Sequence, residues 1–291
     1  MNDKAFILSL FSNKVTDFHQ ILGNGDVNRV FVVENGKEKF ILRLNEASEL
    51  PRFQKEAWSQ EQATDKGVLS PKTINIGIKD NSAYMVLDFV PGINGKDIIV
   101  NKEFVWQAIG RYARISHSIK VVGFGEGMTS PGIFSDSWQR YLDYNIDSLD
   151  TRDKLLSLGI ITSKQSEVIL GKFLKLKTYN FNFGLVHGDL SLSNTIVDED
   201  KVTLIDWGCA EASIVPHIEF VDLFHNQSFN HDLLLDDFLM GYGMSRQEFD
   251  LIKLEIDMLE LLQAVDKLRW AIDKKPDKVN EFTQRVKAII A

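Results

Sequence analysis

Leu185-Val186-His187-Gly188-Asp189-Leu190-Ser191-Leu192-Ser193-Asn194, followed by Leu204-Ile205-Asp206-Trp207-Gly208, is the stretch on which the reading of this chain turns. An aspartate stands five residues before an asparagine, and two short β-prone runs follow, Thr195 to Val197 and Val202 to Ile205. They are joined through Asp198-Glu199-Asp200, and a second aspartate closes the pair. Folded as a hairpin, this order brings three metal-compatible oxygen groups to one end. Phosphoryl transfer needs such a set. Its transition state spreads charge over the phosphoryl oxygens, so Mg2+ ions held by carboxylate and amide oxygens, plus a group that positions the attacking hydroxyl, supply most of the catalysis.

Upstream of residue 92 the pattern is strands around one helix. Lys4 to Phe11 reads as a short amphipathic helix, and alternation begins near Phe18. Arg29 to Val33 and Lys39 to Leu44 are joined through Glu34-Asn35-Gly36-Lys37, whose Asn-Gly favours a tight hairpin. Arg52 to Lys66 reads as a helix between Pro51 and Gly67. Lys72 to Ile78 and Ala83 to Phe89 form another strand pair. Pro91-Gly92 breaks the pattern, and helices are expected near Lys102 to Ile119, Ser135 to Ser148, Ser163 to Lys177, Ile218 to Gln227, His231 to Gly241, Arg246 to Ile272 and Asp277 to Ile290. The expected organisation is α+β, with a small β-rich lobe over residues 1–91, a larger α-helical lobe over 92–291, and a hinge at 88–92.

Composition narrows the function. The chain has 33 basic and 41 acidic residues, a net charge of −8, which argues against nucleic acid as a partner. Thirteen acids against Arg246 and Lys253 lie between Ile205 and Asp266, either as solvated helix faces or as a field that gathers a cationic ligand. Cys209 is the only cysteine, which excludes an intrachain disulfide and fits a reducing cytoplasm. No apolar run reaches the roughly 18 residues of a membrane span, so no membrane partner is expected. His217, His225 and His231 share no helical face and read as surface or capping groups; Trp106, Trp138 and Trp270 read as core.

The His-Gly-Asp-x-x-x-x-Asn and Ile-Asp-Trp-Gly pair resembles the aminoglycoside phosphotransferase and choline kinase superfamily, which shares the protein-kinase fold. The resemblance spans residues 15 to 270. It implies Asp189 as catalytic base, Asn194 and Asp206 as Mg2+ ligands, and His187 as a brace of the loop. Ile21 to Asn28 then becomes the phosphate-covering loop, with Gly23, Gly25 and Asn28 near the nucleotide. Strand alternation puts Arg43 opposite Phe40, Leu42 and Leu44. In the resemblance Arg43 takes the place of the phosphate-binding lysine, with Glu56 as its helical acid and Lys39 as the fallback if the register shifts. Asp88 and Val90 would belong to the hinge that holds the base of ATP or GTP.

Leu42-Arg43-Leu44-Asn45, and Gly123-Phe124-Gly125 with Trp138, are similar to the hygromycin phosphotransferase branch. No activation-loop pattern of a protein kinase follows Asp206, and 94 residues from Ile93 to Val186 leave room for helices around a small acceptor. The expected acceptor is a hydroxyl of a cationic small molecule, an aminoglycoside-type antibiotic first. An amino alcohol, amino sugar or thio-sugar metabolite is the alternative, with a nucleotide-binding pseudokinase or a serine/threonine kinase behind it. Glu211, Glu219, Asp232 and Asp236 are the first amine-binding candidates, then Asp237, Asp257 and Glu260. Asp222 is expected to brace the catalytic loop. A monomer or weak dimer is expected.

Overall fold

The computed structural model describes residues 3–12, 14–22, 28–150, 152–225 and 234–290. Alternation decides the first part of the fold. Strands β1 (Asp17–Ile21), β2 (Arg29–Asn35), β3 (Glu38–Glu46), β4 (Thr73–Lys79) and β5 (Ser82–Asp88) pair as an antiparallel sheet in the order β1-β2-β3-β5-β4. At the β2–β3 turn Gly36 takes φ +67°, the left-handed conformation that the Asn-Gly pair supplies.

Because successive side chains face opposite sides, the sheet has two distinct faces. Phe31, Val33, Leu42, Leu44 and Val86 lie on one, under Phe6 and Ile7 of α1 (Asp3–Leu10). Ala83, Met85 and Leu87 lie on the other, against Phe53 of α2 (Leu50–Asp65). Arg43 pairs in register with Val30 and Met85, so it shares the α2 face. Pro51 sits in the first turn of α2, where its missing N–H has no partner to lose.

Beyond the sheet the chain turns at Gly92, with φ +133°; a Cβ there would stand 2.5 Å from the Val197 carbonyl oxygen. Strand β6 (Ile93–Asn94) then pairs with β10 (Thr195–Asp198), which pairs with β11 (Lys201–Leu204). The remaining helices are α3 (Lys102–His117), α4 (Trp138–Asp147), α5 (Lys154–Ser157), α6 (Ser163–Leu176), α7 (His217–His225), α8 (Leu235–Tyr242), α9 (Arg246–Lys274) and α10 (Val279–Ile290). Their shared core includes Trp106, Ile109, Phe173, Trp207, Phe220 and Leu262. Among the described residues no helix is long and apolar enough to cross a membrane.

The second part differs from the expectation in one respect. A four-stranded sheet, order β8-β7-β12-β9, joins β7 (Phe124–Ser130), β8 (Ile133–Asp136), β9 (Asn182–Val186) and β12 (Glu211–Val215). The helix expected from Ser135 therefore starts later, at Trp138. Residues 133–136 are in a strand, and the Ser137 side chain caps the helix by accepting from the Arg140 N–H at 3.2 Å. The β7–β8 hairpin leans on α2. Phe134 meets Trp58 with ring centroids 6.2 Å apart, and a Cβ on Gly132 would stand 3.3 Å from the same indole.

Candidate active site

Strand β9 ends at Val186 and delivers the loop from His187 to Asn194. Asn194 donates from Nδ2 to both the backbone oxygen and Oδ2 of Asp189, each at 2.8 Å, which fixes the carboxylate and leaves Asn194 Oδ1 as an oxygen ligand. His187 is buried; its Nε2 bonds the Ile205 carbonyl at 3.1 Å, and its ring lies 4.8 Å from that of Trp207. The Ile205 N–H donates to the Asn194 carbonyl at 2.9 Å. Trp207 donates from Nε1 to Ser70 Oγ at 3.0 Å, and Ser70 donates to the Leu204 carbonyl at 2.7 Å. The two halves of the sequence motif are thus stitched to one another.

Asp206 takes φ +61° and ψ +65°, a left-handed backbone that few non-glycine residues adopt and that aspartate tolerates better than most. Its side chain stays 51% exposed while Arg43 donates to Oδ1 at 3.3 Å. The Arg43 guanidinium is also paired with Glu56 from α2. Burial alone would lower the Arg43 pKa, but the Glu56 and Asp206 charges raise it. Glu56 is driven up by burial, against the pull of Arg43. A side chain at position 208 would press on this cluster, since a Cβ on Gly208 would stand 3.3 Å from Asp206 Oδ1 and 3.4 Å from Glu56 Oε2. Lys39 is not the partner: it is exposed and paired with Glu34 at 2.6 Å.

These groups fit Mg2+. Asp206 offers a half-exposed carboxylate, Asn194 an amide oxygen, and Glu56 Oε2 is buried without a partner beside them. Among the described residues no three histidine, cysteine or carboxylate side chains gather as a metal site. One carboxylate and one amide suit an ion that takes its other ligands from phosphates and water.

The model of the phosphotransferase enzyme family matches residues 19–254. The chain belongs to this family. It is a phosphotransferase that acts on a hydroxyl group, on a protein-kinase-like α+β fold. A probable ketoamine kinase of Vibrio vulnificus is 23% identical over 209 residues, 66% of this chain and 69% of its own. The aminoglycoside phosphotransferase APH(4)-Ia, in a ternary complex with AMP-PNP and hygromycin B, superposes with a TM-score of 0.75 at 18% identity, covering 100% of this chain and 98% of that one. The GDP complex of aminoglycoside 2'-phosphotransferase-IIIa gives 0.71 at 14% identity over 100% and 99%. Likeness at these identities carries the fold and does not single out the hygromycin branch.

The acceptor side of this phosphotransferase corrects several expectations. Glu219, in the first turn of α7, is 1% exposed and cannot face an acceptor. It accepts from the His187 N–H at 3.0 Å and the Gly188 N–H at 3.2 Å, and bonds His117 Nε2 at 3.2 Å. Burial works against its carboxylate, yet these bonds hold its pKa below the usual value. Glu219 is therefore the brace that Asp222 was expected to be. One turn further along α7, Asp222 lies near Glu211, Lys267 and Arg285, and burial lifts its pKa well above the carboxylate range.

Asp236 is exposed and paired with Arg246 at 3.3 Å. Asp237 accepts from Gln107 at 2.8 Å, Asp257 is paired with Lys253, and Glu260 with Arg285 at 3.6 Å. Asp232, Gly23 and Gly25 lie outside the described residues, as do His231 and the His225 side chain. His217 is not a surface group; it is buried and bonds Glu255 through Nε2 at 2.8 Å. Asn28 accepts from Asn45 Nδ2 at 2.8 Å, and the Asp88 N–H donates to the Lys72 carbonyl at 2.9 Å. Val90 is half-buried just past β5.

Glu211 opens β12, in register with Val186 of β9, and so stands beside the catalytic loop. It lines a pocket of about 380 Å3 with Glu126, Asp136, Trp138, Tyr141 and Asp266. Burial pushes the Glu211 carboxyl up to about 7. Tyr141 donates to Asp266 Oδ2 at 3.2 Å. Glu126 and Asp136 are on the unforeseen strands β7 and β8, so nothing in the sequence marked them. Trp106 is core as expected, but Trp138 walls the pocket and Trp270 is exposed. The Cys209 thiol beside Asp189 and Asp206 is inert, its pKa pushed up to about 11 by burial and those two charges.

Proposed function

We propose that this phosphotransferase moves the γ-phosphoryl group of ATP or GTP to a hydroxyl of a small, amine-bearing acceptor held in the pocket of Glu126, Glu211 and Asp266. One observation carries the reading: the Asp189–Asn194–Asp206 cluster, tied to Arg43 and Glu56, is next to a pocket whose wall mixes carboxylates with aromatic rings. The carboxylates suit amines, and Trp138 and Tyr141 suit the apolar faces of rings.

Asp206 and Asn194 would hold Mg2+, which supplies neutralisation of the phosphate oxygens when bound. Arg43, pinned by Glu56, faces the donor phosphates, and guanidinium can bridge phosphate and carboxylate together. The segment 88–92 holds the base, and Gly23, Gly25 and Asn28 cover the phosphates. Asp189 takes the acceptor proton. Its pKa is raised by burial, against His187 and the Asn194 bond, which makes it a better base than an exposed aspartate. Aminoglycosides head the acceptor class, with ketoamines, amino sugars and amino alcohols sharing the required amine and hydroxyl.

The test is phosphate transfer from Mg-ATP and Mg-GTP to a panel containing aminoglycosides, ketoamines, amino alcohols and their neutral analogues. Phosphorylation of amine-bearing members is expected. Neutral analogues phosphorylated equally well would overturn the acceptor class.

A further inference from the structure

Lys55 precedes Glu56 on α2, and one residue along a helix turns the side chain by about 100°. Glu56 faces Arg43, whereas Lys55 feels the charges of Glu126, Glu211, Arg52 and the Cys209 thiol. The lysine is 4% exposed, yet among the described residues its ammonium makes no ion pair or hydrogen bond. A buried ammonium without a pair is costly, and here burial lowers its pKa. Such a group is retained where a ligand completes it.

Cys209 fixes where that ligand group lies. A Cβ on Gly188, the residue before Asp189, would stand 2.5 Å from the Cys209 carbonyl oxygen, and the Cys209 thiol feels both Asp189 and Asp206. Lys55 therefore stands between the catalytic loop and the acceptor acids. Leu190 to Ser193 contribute no cation to this loop, and Arg43 is held on the donor side by Glu56 and Asp206. The acceptor side of the transferred group has no other positive partner so close to both sites.

We propose that Lys55 is a further catalytic residue, whose ammonium meets the phosphoryl oxygens as the group crosses to the acceptor. This rests on the function proposed above. The acceptor oxygen bonds to the γ-phosphorus. The bond to the bridging oxygen breaks, its electron pair stays on the departing nucleoside diphosphate, and the hydroxyl proton passes to Asp189. Lys55 keeps its protons throughout and lowers the barrier by charge alone.

Two measurements on the parent, Lys55→Met and Lys55→Arg test it, with Lys55→Gln replacing the methionine variant if that fails to bind Mg-ADP. The first needs no acceptor: Mg-ADP is titrated with and without aluminium fluoride, a mimic of the planar phosphoryl group. Lys55→Met should bind Mg-ADP within about threefold of the parent but lose roughly 10²-fold in the fluoride complex, the usual effect of removing one transition-state donor. Lys55→Arg should recover part of the loss. The second is turnover with a phosphorylated acceptor, where kcat should fall by roughly 10²-fold while the acceptor KM stays within a few-fold. Unchanged fluoride affinity overturns the proposal. So does an unchanged kcat with a lower KM for cationic acceptors alone, which would make Lys55 a counter-ion of Glu126 and Glu211. If no acceptor in the panel is phosphorylated, the proposed function falls, while the fluoride titration still decides Lys55.

Discussion

On the donor side of the cleft, Arg43 joins Glu56 to Asp206, and Asn194 holds Asp189 by two bonds from one amide. On the acceptor side, Glu126 and Glu211 have no ion-pair partner among the described residues, and Glu211 is buried enough to keep its proton near neutrality. The contrast follows from what each side meets. Triphosphate and metal present the same charges in every turnover, so their ligands can be locked in place beforehand. A cationic acceptor brings its own charge, and acids already paired within the protein would have to be freed first.

The largest effect should come from the locked side. Asp206→Asn keeps a residue that tolerates the left-handed backbone but removes the carboxylate. Transfer should drop by roughly 10³-fold and the Mg2+ dependence of nucleotide affinity should weaken, both read by titration and turnover. Parent-like values would break the donor-side assignment. Asp189→Asn should cut turnover by roughly 10²- to 10⁴-fold with Mg-nucleotide affinity near normal, because only proton acceptance and positioning are lost. Single-turnover kinetics within a few-fold of the parent would remove Asp189 from that role.

Glu219→Ala tests which acids belong to neither side. It strands the N–H groups of His187 and Gly188, so stability should fall by about 1–3 kcal/mol, seen as a lower Tm. The acceptor KM of the folded fraction should hold. A raised KM with unchanged Tm would return Glu219 to the pocket. The smallest effect is the pH response of the acceptor side. Glu211 is protonated below about 7 and becomes a carboxylate above it, so affinity for a cationic acceptor should rise between pH 6 and 8. The gain should be roughly two- to fivefold, the worth of a partly screened ion pair, and Glu211→Gln should flatten it. An equally steep profile in that variant would assign the titration elsewhere.

The same contrast describes what the sequence made legible. Arg43 could be placed because β3 alternates cleanly, and Glu56 because Pro51 and Gly67 bracket its helix. Asp189, Asn194 and Asp206 lie within 18 residues, so local order was enough. The acceptor pocket is assembled from pairings that no local pattern shows. Phe124 to Ser130 carries two glycines and little alternation, and β12 meets β7 across Ala212 and Gly125. Glu219 and Asp222 share one short helix, and only the direction of its first turn decides which of them reaches His187 and Gly188. The left-handed Asp206 left no trace in composition either.

The lean of the β7–β8 hairpin on Trp58 bears on how acceptor preference could be re-engineered. Residues 124–136 supply Glu126 and Asp136 to the pocket, yet the same hairpin rests Phe134 and the glycine of its tip on the helix that carries Lys55 and Glu56. A loop transplanted from a relative would arrive shaped for a different neighbour at position 58. Without a matching exchange there, the graft would press on α2 and disturb Glu56 and Arg43. The transplantable unit is therefore the hairpin together with residue 58, two pieces of chain more than sixty residues apart that must change in one step.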